Sequence, residues 1–336
     1  MTLTAGPPPP LVPTRRTIKA NPGPADRFFR GVARSGGLVV LAIMVLVGTF
    51  LGYRAWKALH KAGFSFVTTQ DWNPDAGRFG IAAVIVGTVL IALVAVAVAL
   101  PLAMGTALYI SEYSPRRVKS WLVSIVDLMA AVPSVVFGLW GAKLFQWKAI
   151  GLSRWLSDWF GWIPIFKVDG VKRHDPLATA TVYTSSTLMA GLVVALMVTP
   201  IACSIMREAF SQAPAGEREG AYALGATRWG MIRSVVLPFG KGAVIGGTML
   251  GLGRALGETI AVVLIISPIF TIQPHILENG TSSVSSLIAL RYGEASPFGI
   301  SALMAAGLAL FALTLVVNFA AASIVARSRS GAVSEV

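Results

Sequence analysis

The chain has 336 residues and a net charge of +13, with 55% hydrophobic and only 13% charged side chains. Soluble domains average about 25% charged residues, so this composition argues against a soluble globular fold. The positive charge does not call for a nucleic-acid partner, because integral membrane proteins collect Lys and Arg on their cytoplasmic flanks. A single cysteine excludes an intrachain disulfide, and three scattered histidines show no metal-ligand spacing.

The N-terminal region is rich in proline and arginine. Prolines at positions 7–10, 13, 22 and 24 oppose a regular helix, so residues 1–34 are predicted to form a disordered basic tail. The next stretch, 35–53, has no charged residue and is long enough to cross a bilayer core of about 30 Å. A signal peptide is the alternative, but the stretch is long for one and lacks a small-residue cleavage site, which favours a retained anchor.

Five more apolar stretches follow along the chain. Three have no Asp, Glu, Lys or Arg: 79–111, 176–206 and 295–326. Two contain rare charges: 120–142 with Asp127, and 242–277 with Arg254 and Glu258. Together with the first stretch they predict an all-α, polytopic integral membrane protein with six transmembrane helices over residues 35–326. Residues 327–336 are a short C-terminal tail.

The distribution of basic residues predicts the orientation of these spans. With the N-terminus inside, the cytoplasmic segments hold 16 Lys and Arg, and the external segments hold 11. The positive-inside rule therefore places both termini in the cytoplasm. In this orientation 207–241 is a cytoplasmic loop and 143–175 is an external segment.

The external segment is rich in tryptophan. Trp155, Trp159 and Trp162 recur four and three residues apart, a spacing typical of one face of a short helix. Such a face is predicted to lie in the membrane interface. It serves either as an aromatic anchor or as a contact for an external partner.

Pro133 and Ser134 interrupt the third apolar stretch. An unwound stretch near the middle of a membrane is how transporters often build a substrate site, which makes Ser134 a candidate substrate residue. A packing kink is the alternative. Asp127 lies about two turns inside the same stretch, and a salt bridge, a gate contact and a snorkelling carboxylate are all open roles for it.

The cytoplasmic loop 207–241 has the pattern of two short helices. Pro214 suits a first turn, and Gly225 suits the left-handed position that closes a helix. Glu217 and Glu219 suit the positive end of the helix dipole. A second helix is predicted to start at Ala226.

The second helix of the loop is predicted to end at Leu237, stopped by Pro238. The loop would then expose four apolar side chains to water: Tyr222, Leu224, Trp229 and Ile232. Exposed apolar groups of this kind mark an interaction site, so the loop is predicted to be a docking element.

The fifth apolar stretch places small and charged residues on one helical stripe. Gly247, Gly251, Arg254 and Glu258 are four, three and four residues apart. The glycines would let a neighbouring helix approach closely. Charged residues inside membranes are functional candidates, although an ion pair that only neutralises itself is the alternative.

The cytoplasmic loop resembles the EAA loop of ABC importer permeases. The matching positions are Glu219, Ala221, Gly225, Leu237 and Pro238, while Gly220 replaces an alanine and Val235 replaces an isoleucine. The resemblance implies a type I ABC importer permease fold, in which this loop forms a coupling helix that inserts into an ATP-hydrolysing subunit. The chain has no GxxxxGK[ST] motif, so the nucleotide site is expected on a partner.

Three further strings are similar to the phosphate-specific branch of that family: ALYISEYSPRR at 107–117, AAVPSVVFGLWG at 130–141 and RALGET at 254–259. The resemblance covers nearly all of residues 30–327. It implies that the charged pair required for phosphate translocation is Arg254 and Glu258. A guanidinium is suited to this role, because its planar fork binds an oxyanion through two hydrogen bonds.

The resemblance also implies the partners and the location. We expect a homologous permease subunit, two ATP-hydrolysing subunits that hold ATP and Mg, and an external phosphate-binding protein, all at a bacterial cytoplasmic membrane. The chain itself is expected to bind no cofactor or metal and to catalyse no covalent chemistry.

Three other functions remain as alternatives. The same architecture could import another oxyanion, such as phosphonate, sulfate or molybdate. An ion-coupled secondary transporter could use Arg254, Glu258 and Asp127 as a proton relay, but it leaves the EAA-type loop unexplained. An enzyme acting on lipid phosphates would need a nucleophile with a base, or a metal site, which the sequence does not offer.

Overall fold

The computed structural model describes residues 23–169 and 180–329. The chain divides into two units, Met1–Thr49 and Phe50–Val336. The described part of the first unit is the beginning of helix α1 (Pro24–Ala62). Its apolar side chains, such as Leu38 and Leu46, are exposed, as suits a helix surrounded by lipid.

The start of α1 corrects the predicted disordered tail. Residues 1–22 lie outside the described residues, but residues 24–34 are helical rather than disordered. Pro24 occupies the first position of the helix, where no backbone N–H is needed, and Asp26 in the first turn favours the positive end of the helix dipole.

The second unit is almost entirely helical. Its helices are α2 (Ser65–Thr68), α3 (Ala82–Leu108), α4 (Arg116–Ala131), α5 (Ser134–Trp140), α6 (Gln146–Phe160), α7 (Thr187–Ser211), α8 (Ala215–Ala223), α9 (Arg228–Met231), α10 (Leu237–Gly257), α11 (Ile260–Ile265), α12 (Val284–Arg291) and α13 (Pro297–Arg329). Wider π-helical turns occur at Tyr109–Tyr113, Gly141–Phe145 and Ile232–Val236. Short 3₁₀ helices occur at Pro164–Phe166, Ala180–Tyr183 and Tyr292–Glu294. The strands β1 (Trp72–Asn73) and β2 (Arg78–Phe79) pair antiparallel.

Among residues 23–169 and 180–329, five helical segments are long and apolar enough to cross a bilayer, and a bent pair makes a sixth. The bent pair is Arg116–Ala131 with Ser134–Phe160, which meet at an angle of 87°. The prediction of an all-α protein with six membrane spans is therefore confirmed when this pair counts as one span.

Two predicted spans have different boundaries in the structure. In the described part of the stretch 176–206, a short 3₁₀ helix at Ala180–Tyr183 comes before the α-helix. The α-helix starts at Thr187, because the Ser186 side chain accepts a hydrogen bond from the Met189 N–H and so caps it there. The stretch 242–277 is not one helix, since α10 ends at Gly257 and α11 at Ile265. Irregular chain follows from Ile266, two residues before Pro268.

The external Trp-rich segment is partly a continuation of the third span. We expected the span to end at residue 142, but the helix that begins at Ser134 runs on to Phe160. Trp155 and Trp159 lie on this helix and are exposed, whereas Trp162 lies beyond its end. The predicted helix is therefore confirmed for the first two tryptophans of the spacing.

Helix α7 is the centre of the bundle. It contacts α3, α4, α5, α10 and α11, and most of its residues are buried. The packing against α3 is close, because a Cβ atom at Gly191 would lie 2.5 Å from Val94 Cγ1. This central helix positions the two broken spans described below.

Candidate functional site

The third span breaks at Val132 and Pro133. Both residues have extended backbone angles, with ψ of 127° and 140°, and α5 starts immediately afterwards at Ser134. Proline cannot donate a backbone hydrogen bond, so the helix of α4 cannot continue through it. The predicted interruption is confirmed, and Ser134 occupies the first turn after the break.

The fifth span breaks at Glu258, which sequence reasoning did not predict. Glu258 has an extended ψ of 124° and follows the last residue of α10. The Ala261 backbone N–H donates a hydrogen bond of 3.3 Å to Glu258 Oε1. The glutamate therefore caps the beginning of α11 instead of continuing the helix that carries Arg254.

The two short helices after these breaks pack tightly on each other. A Cβ atom at Gly138 of α5 would lie 2.8 Å from Ala261 Cα, and one at Gly141 would lie 2.9 Å from Ile265 Cδ1. The matching order of these contacts shows that α5 and α11 run side by side in the same direction. Both breaks are therefore at the same end of the pair.

Arg254 lies in the last turn of α10 and is exposed. It lines a groove of 420 Å³ together with Ile201 of α7 and Asn318 of α13. Its side chain has no hydrogen bond or ion pair with another described residue, and in particular none with Glu258. The alternative of a self-neutralising ion pair is therefore not realised in this structure.

The glycines of α10 do allow a close approach, but the charged residues are not on the same buried stripe. A Cβ atom at Gly251 would lie 2.5 Å from Val198 Cγ1, so the close approach to α7 is confirmed. Ala255, not Arg254, continues the buried stripe one turn later. Arg254 is offset from it towards the open groove, because three residues are less than one full turn of an α-helix.

Asp127 connects two helices through a hydrogen bond. Ser204 Oγ of α7 donates to Asp127 Oδ1 of α4 at 3.2 Å. None of the ion pairs between described residues includes Asp127. The contact holds α4 against α7 before the break at Val132 and Pro133.

The loop 207–241 folds as a helix, a glycine turn and a second helix. Pro214 precedes α8, Glu217 lies in its first turn, and Gly225 has the predicted left-handed φ of +82°. The second helix starts at Arg228 rather than Ala226, because Thr227 Oγ1 accepts a hydrogen bond from the Gly230 N–H.

Pro238 does not end the second helix, so that prediction was wrong. The helix is continuous from Arg228 to Gly257. The π-helical turn Ile232–Val236 directly precedes the proline and widens the backbone there. A wider turn accommodates the proline ring and its missing N–H, which would disrupt a regular α-helix.

The loop exposes an apolar surface, as predicted. Tyr222 is 46%, Leu224 92% and Trp229 55% exposed. Ile232 was predicted to be exposed but is fully buried, because it packs in a cluster with Met206 and Phe210 of α7. We call the exposed part of this loop, Glu219 to Gly225 with Trp229, the docking knob.

A buried ion pair beneath the docking knob was missed by the sequence analysis. Arg218 Nη1 of α8 lies 2.8 Å from Glu112 Oε2, in the π-helical turn after α3. These residues are 106 positions apart, so no spacing rule connects them. The available signal was Glu112 itself, the first acidic residue after a long charge-free stretch.

Contacts between loops sort them into two sides. Three contacts do so: Asp75 with Ser296, Asp169 with Glu278, and Glu112 with Arg218. The charge count predicts that the first two contacts join segments outside or at the outer ends of spans. It predicts that the third joins two loops on the opposite, cytoplasmic side. The predicted grouping of loops is therefore consistent with the structure.

A polar cluster near the contact between Asp169 and Glu278 resembles a metal site. The ligand atoms of Asp169, His275 and Glu278 lie within 4.8 Å of one another. Hydrogen bonds already occupy them: Gln273 Nε2 donates to Glu278 Oε2, and Lys167 Nζ lies 2.6 Å from Asp169 Oδ1. The Lys167 ammonium lowers the pKa of Asp169, which keeps this carboxylate charged without an ion.

Known proteins with similar sequences are transport permeases. Residues 99–330 match the family described as "Binding-protein-dependent transport system inner membrane component". The phosphate transport system permease protein PstC 2 of Mycobacterium tuberculosis is 37% identical over 303 residues, which cover 89% of this chain and 91% of that protein. PstC of Pasteurella multocida is 36% identical over 296 residues, 87% of this chain and 89% of that one.

The fold is also similar to that of solved structures. A chain of a bacterial alginate ABC transporter, in complex with a pentasaccharide-bound periplasmic protein, superimposes with a TM-score of 0.55. The superposition covers 88% of this chain and 93% of that chain at 17% sequence identity. The similarity shows a shared fold.

Proposed function

The chain belongs to the family of binding-protein-dependent transport system inner membrane components, and from this premise we propose that it is the PstC-type permease subunit of an ATP-driven importer of inorganic phosphate. The observation that carries this proposal is the 36–37% identity to phosphate permeases over nearly the whole chain. The string PSVVFGLWG favours the PstC-type over the PstA-type position in the complex. Import of phosphonate, sulfate or molybdate remains the nearest alternative.

Arg254 is the proposed phosphate-binding residue. Arg254 is on the membrane-spanning helix α10. Its side chain is exposed in a groove lined by α7, α10 and α13 and has no partner among the described residues. An unpaired arginine in the membrane is costly, and an oxyanion that binds it bidentately removes that cost. The exposure also supports a translocation path between this chain and a second, homologous permease.

Ser134 and Glu258, at the breaks in the third and fifth spans, are proposed to line the translocation path. Ser134 lies where the third span restarts, and its backbone N–H is in the first turn, without an intrahelical acceptor. Glu258 holds α11 in place through the Ala261 N–H, so its proposed role is to fix the break beside Arg254. Neither residue performs covalent chemistry in this mechanism.

Energy for alternating access is proposed to come from two partner subunits that bind ATP and Mg. The docking knob supports this proposal, because its exposed Tyr222, Leu224 and Trp229 need an apolar partner surface in the cytoplasm. Glu219, Ala221 and Gly225 would form the coupling helix, while Leu237 and Pro238 lie in the continuous helix Arg228–Gly257 behind it. An external phosphate-binding protein would deliver the substrate.

The central test is uptake by the complex that co-purifies with this chain from native membranes. Vesicles containing the complex are expected to accumulate radiolabelled phosphate only when ATP and the external binding protein are supplied. Competition by unlabelled phosphonate, sulfate or molybdate would reassign the substrate. Uptake driven by an ion gradient, with no associated ATPase, would support the secondary transporter instead.

Orientation is tested by cysteine labelling in a bacterial cytoplasmic membrane. The native Cys203 is buried, so introduced cysteines report on their own positions. Cysteines at Ala76 and Gly293, both exposed, are expected to react with an impermeant thiol reagent in intact cells. Cysteines at Ser114 and Gly216 are expected to react only after the cells are opened, and the reverse pattern would place the docking knob outside.

A further inference from the structure

Arg218 in the loop 207–241, called the docking loop below, has three acceptors, and one of them, Glu112, belongs to the turn that follows α3. Arg218 Nη1 donates to Glu112 Oε2 at 2.8 Å, Nη2 to the Phe210 carbonyl at 2.6 Å, and Nε to the Ala213 carbonyl at 3.1 Å. The side chain of Glu112 is only 3% exposed and that of Arg218 only 22%. The contact is therefore a buried, directional link rather than a solvated surface pair.

A second contact joins the same two regions. The Arg228 guanidinium of α9 lies over the Tyr113 ring, 5.0 Å from its centroid. Glu112 and Tyr113 are neighbours in the π-helical turn that ends α3. Both helices of the docking loop thus hold one turn of α3, and α3 packs along α7 and α10.

One oxygen of this link is unused. Glu112 Oε1 is buried and has no hydrogen-bond partner among the described residues. A buried carboxylate oxygen without a partner is unfavourable, so a movement of the loop that gave this oxygen a donor would be favoured. A bidentate pair, in which Nη2 donated to this oxygen instead of to the Phe210 carbonyl, would give Glu112 Oε1 a partner and keep the Nη1 contact.

We propose that the Glu112–Arg218 ion pair is the link through which movement of the docking loop reaches α3. The proposal rests on the proposed function and identifies the two residues as positioning residues for transport. The pair keeps α8 attached to α3 in both arrangements, because the second carboxylate oxygen accepts the guanidinium as α8 shifts. ATP hydrolysis in the partner subunits then moves α3 together with α7 and α10, which line the groove of Arg254.

The test uses the complete complex in vesicles, with Glu112→Gln as the main variant. Glutamine keeps the size and one acceptor oxygen of Glu112 but loses the charge and the second acceptor. Three quantities are measured: the amount of assembled complex, ATP hydrolysis with and without loaded binding protein, and phosphate imported per ATP hydrolysed. Arg233→Gln, which removes an exposed charge in the same loop, is the matched control.

The expected result is loss of coupling in an assembled complex. Glu112→Gln should retain basal ATP hydrolysis, while stimulation by the loaded binding protein and phosphate imported per ATP both fall at least tenfold. Arg218→Lys should give the same result, because a lysine cannot hold all three acceptors in one plane. The control variant should match the wild type in all three quantities.

Unchanged stimulation and an unchanged ratio in assembled Glu112→Gln complexes would overturn the proposal and leave the pair as scaffold. If this variant does not assemble, the ratio is measured on Arg218→Lys and Glu112→Asp. Failure of all three to assemble would also overturn it, since the pair would then serve folding alone. Wild-type vesicles that import phosphate separate these outcomes from a failure of the proposed function.

Discussion

Replacing Arg254 with lysine is expected to reduce phosphate uptake roughly 10- to 100-fold in an assembled complex, since about 1.5–3 kcal/mol of charge-assisted hydrogen bonding is at stake. Lysine keeps the positive charge but loses the planar fork that grips an oxyanion through two bonds. The groove around Arg254 is open, so a lysine fits there without a steric clash. The loss of uptake would then reflect the lost hydrogen bonds to the oxyanion. The measurement is initial uptake rate at equal membrane abundance, with Arg233→Lys as a control for the same exchange at an exposed loop position.

A double variant separates binding from scaffolding at the same position. If Arg254 and Glu258 only balanced each other, Arg254→Gln combined with Glu258→Gln would be tolerated better than either single change. The structure predicts no such rescue, because Glu258 contacts the Ala261 N–H and not Arg254. Near-normal uptake by the double variant would remove Arg254 from the substrate path.

Replacing Gly225 with valine is expected to lower uptake to below a tenth of the wild-type rate without preventing membrane insertion. Gly225 has a φ of +82°, where a β-branched side chain costs about 1–3 kcal/mol of backbone strain. No atom lies within 4 Å of the position of its Cβ, so backbone strain alone, and not a clash, reshapes the docking knob. The readouts are uptake and co-purification of the ATPase.

Helix α8, which precedes Gly225, offers a matched control for this variant. Gly216 is equally unobstructed but has no left-handed φ, so Gly216→Val should leave the docking knob unchanged. The coupling role of the Glu219–Gly225 helix would be wrong if Gly225→Val still assembled with its ATPase and transported normally.

The features predicted correctly from the sequence are those with a local cause. Charge-free stretches predicted the spans, Pro133 predicted a break, and Gly225 predicted a left-handed turn, because each depends on residues within one or two turns. The strings that match the phosphate-specific branch are local in the same sense. They identify the family without reference to any tertiary contact.

The features that were missed depend on distant parts of the chain. No proline in the sequence marks the break at Glu258. After the break, α11 packs on α5, a contact between distant parts of the chain. Burial of Ile232 depends on α7, and the partner of Glu112 is 106 residues away. Tertiary contacts of this kind override local propensity, and a single sequence does not reveal them.

The uninterrupted helix from Arg228 to Gly257 works as a lever arm. Trp229 of the docking knob stands near one end and Arg254 near the other, about 37 Å apart at 1.5 Å per residue. A tilt of only about 5° at the knob would swing the far end by about 3 Å, the length of one hydrogen bond. A small rocking of the proposed ATPase would therefore be enough to make or break a guanidinium contact, provided that the helix stays continuous through Pro238, as it does here.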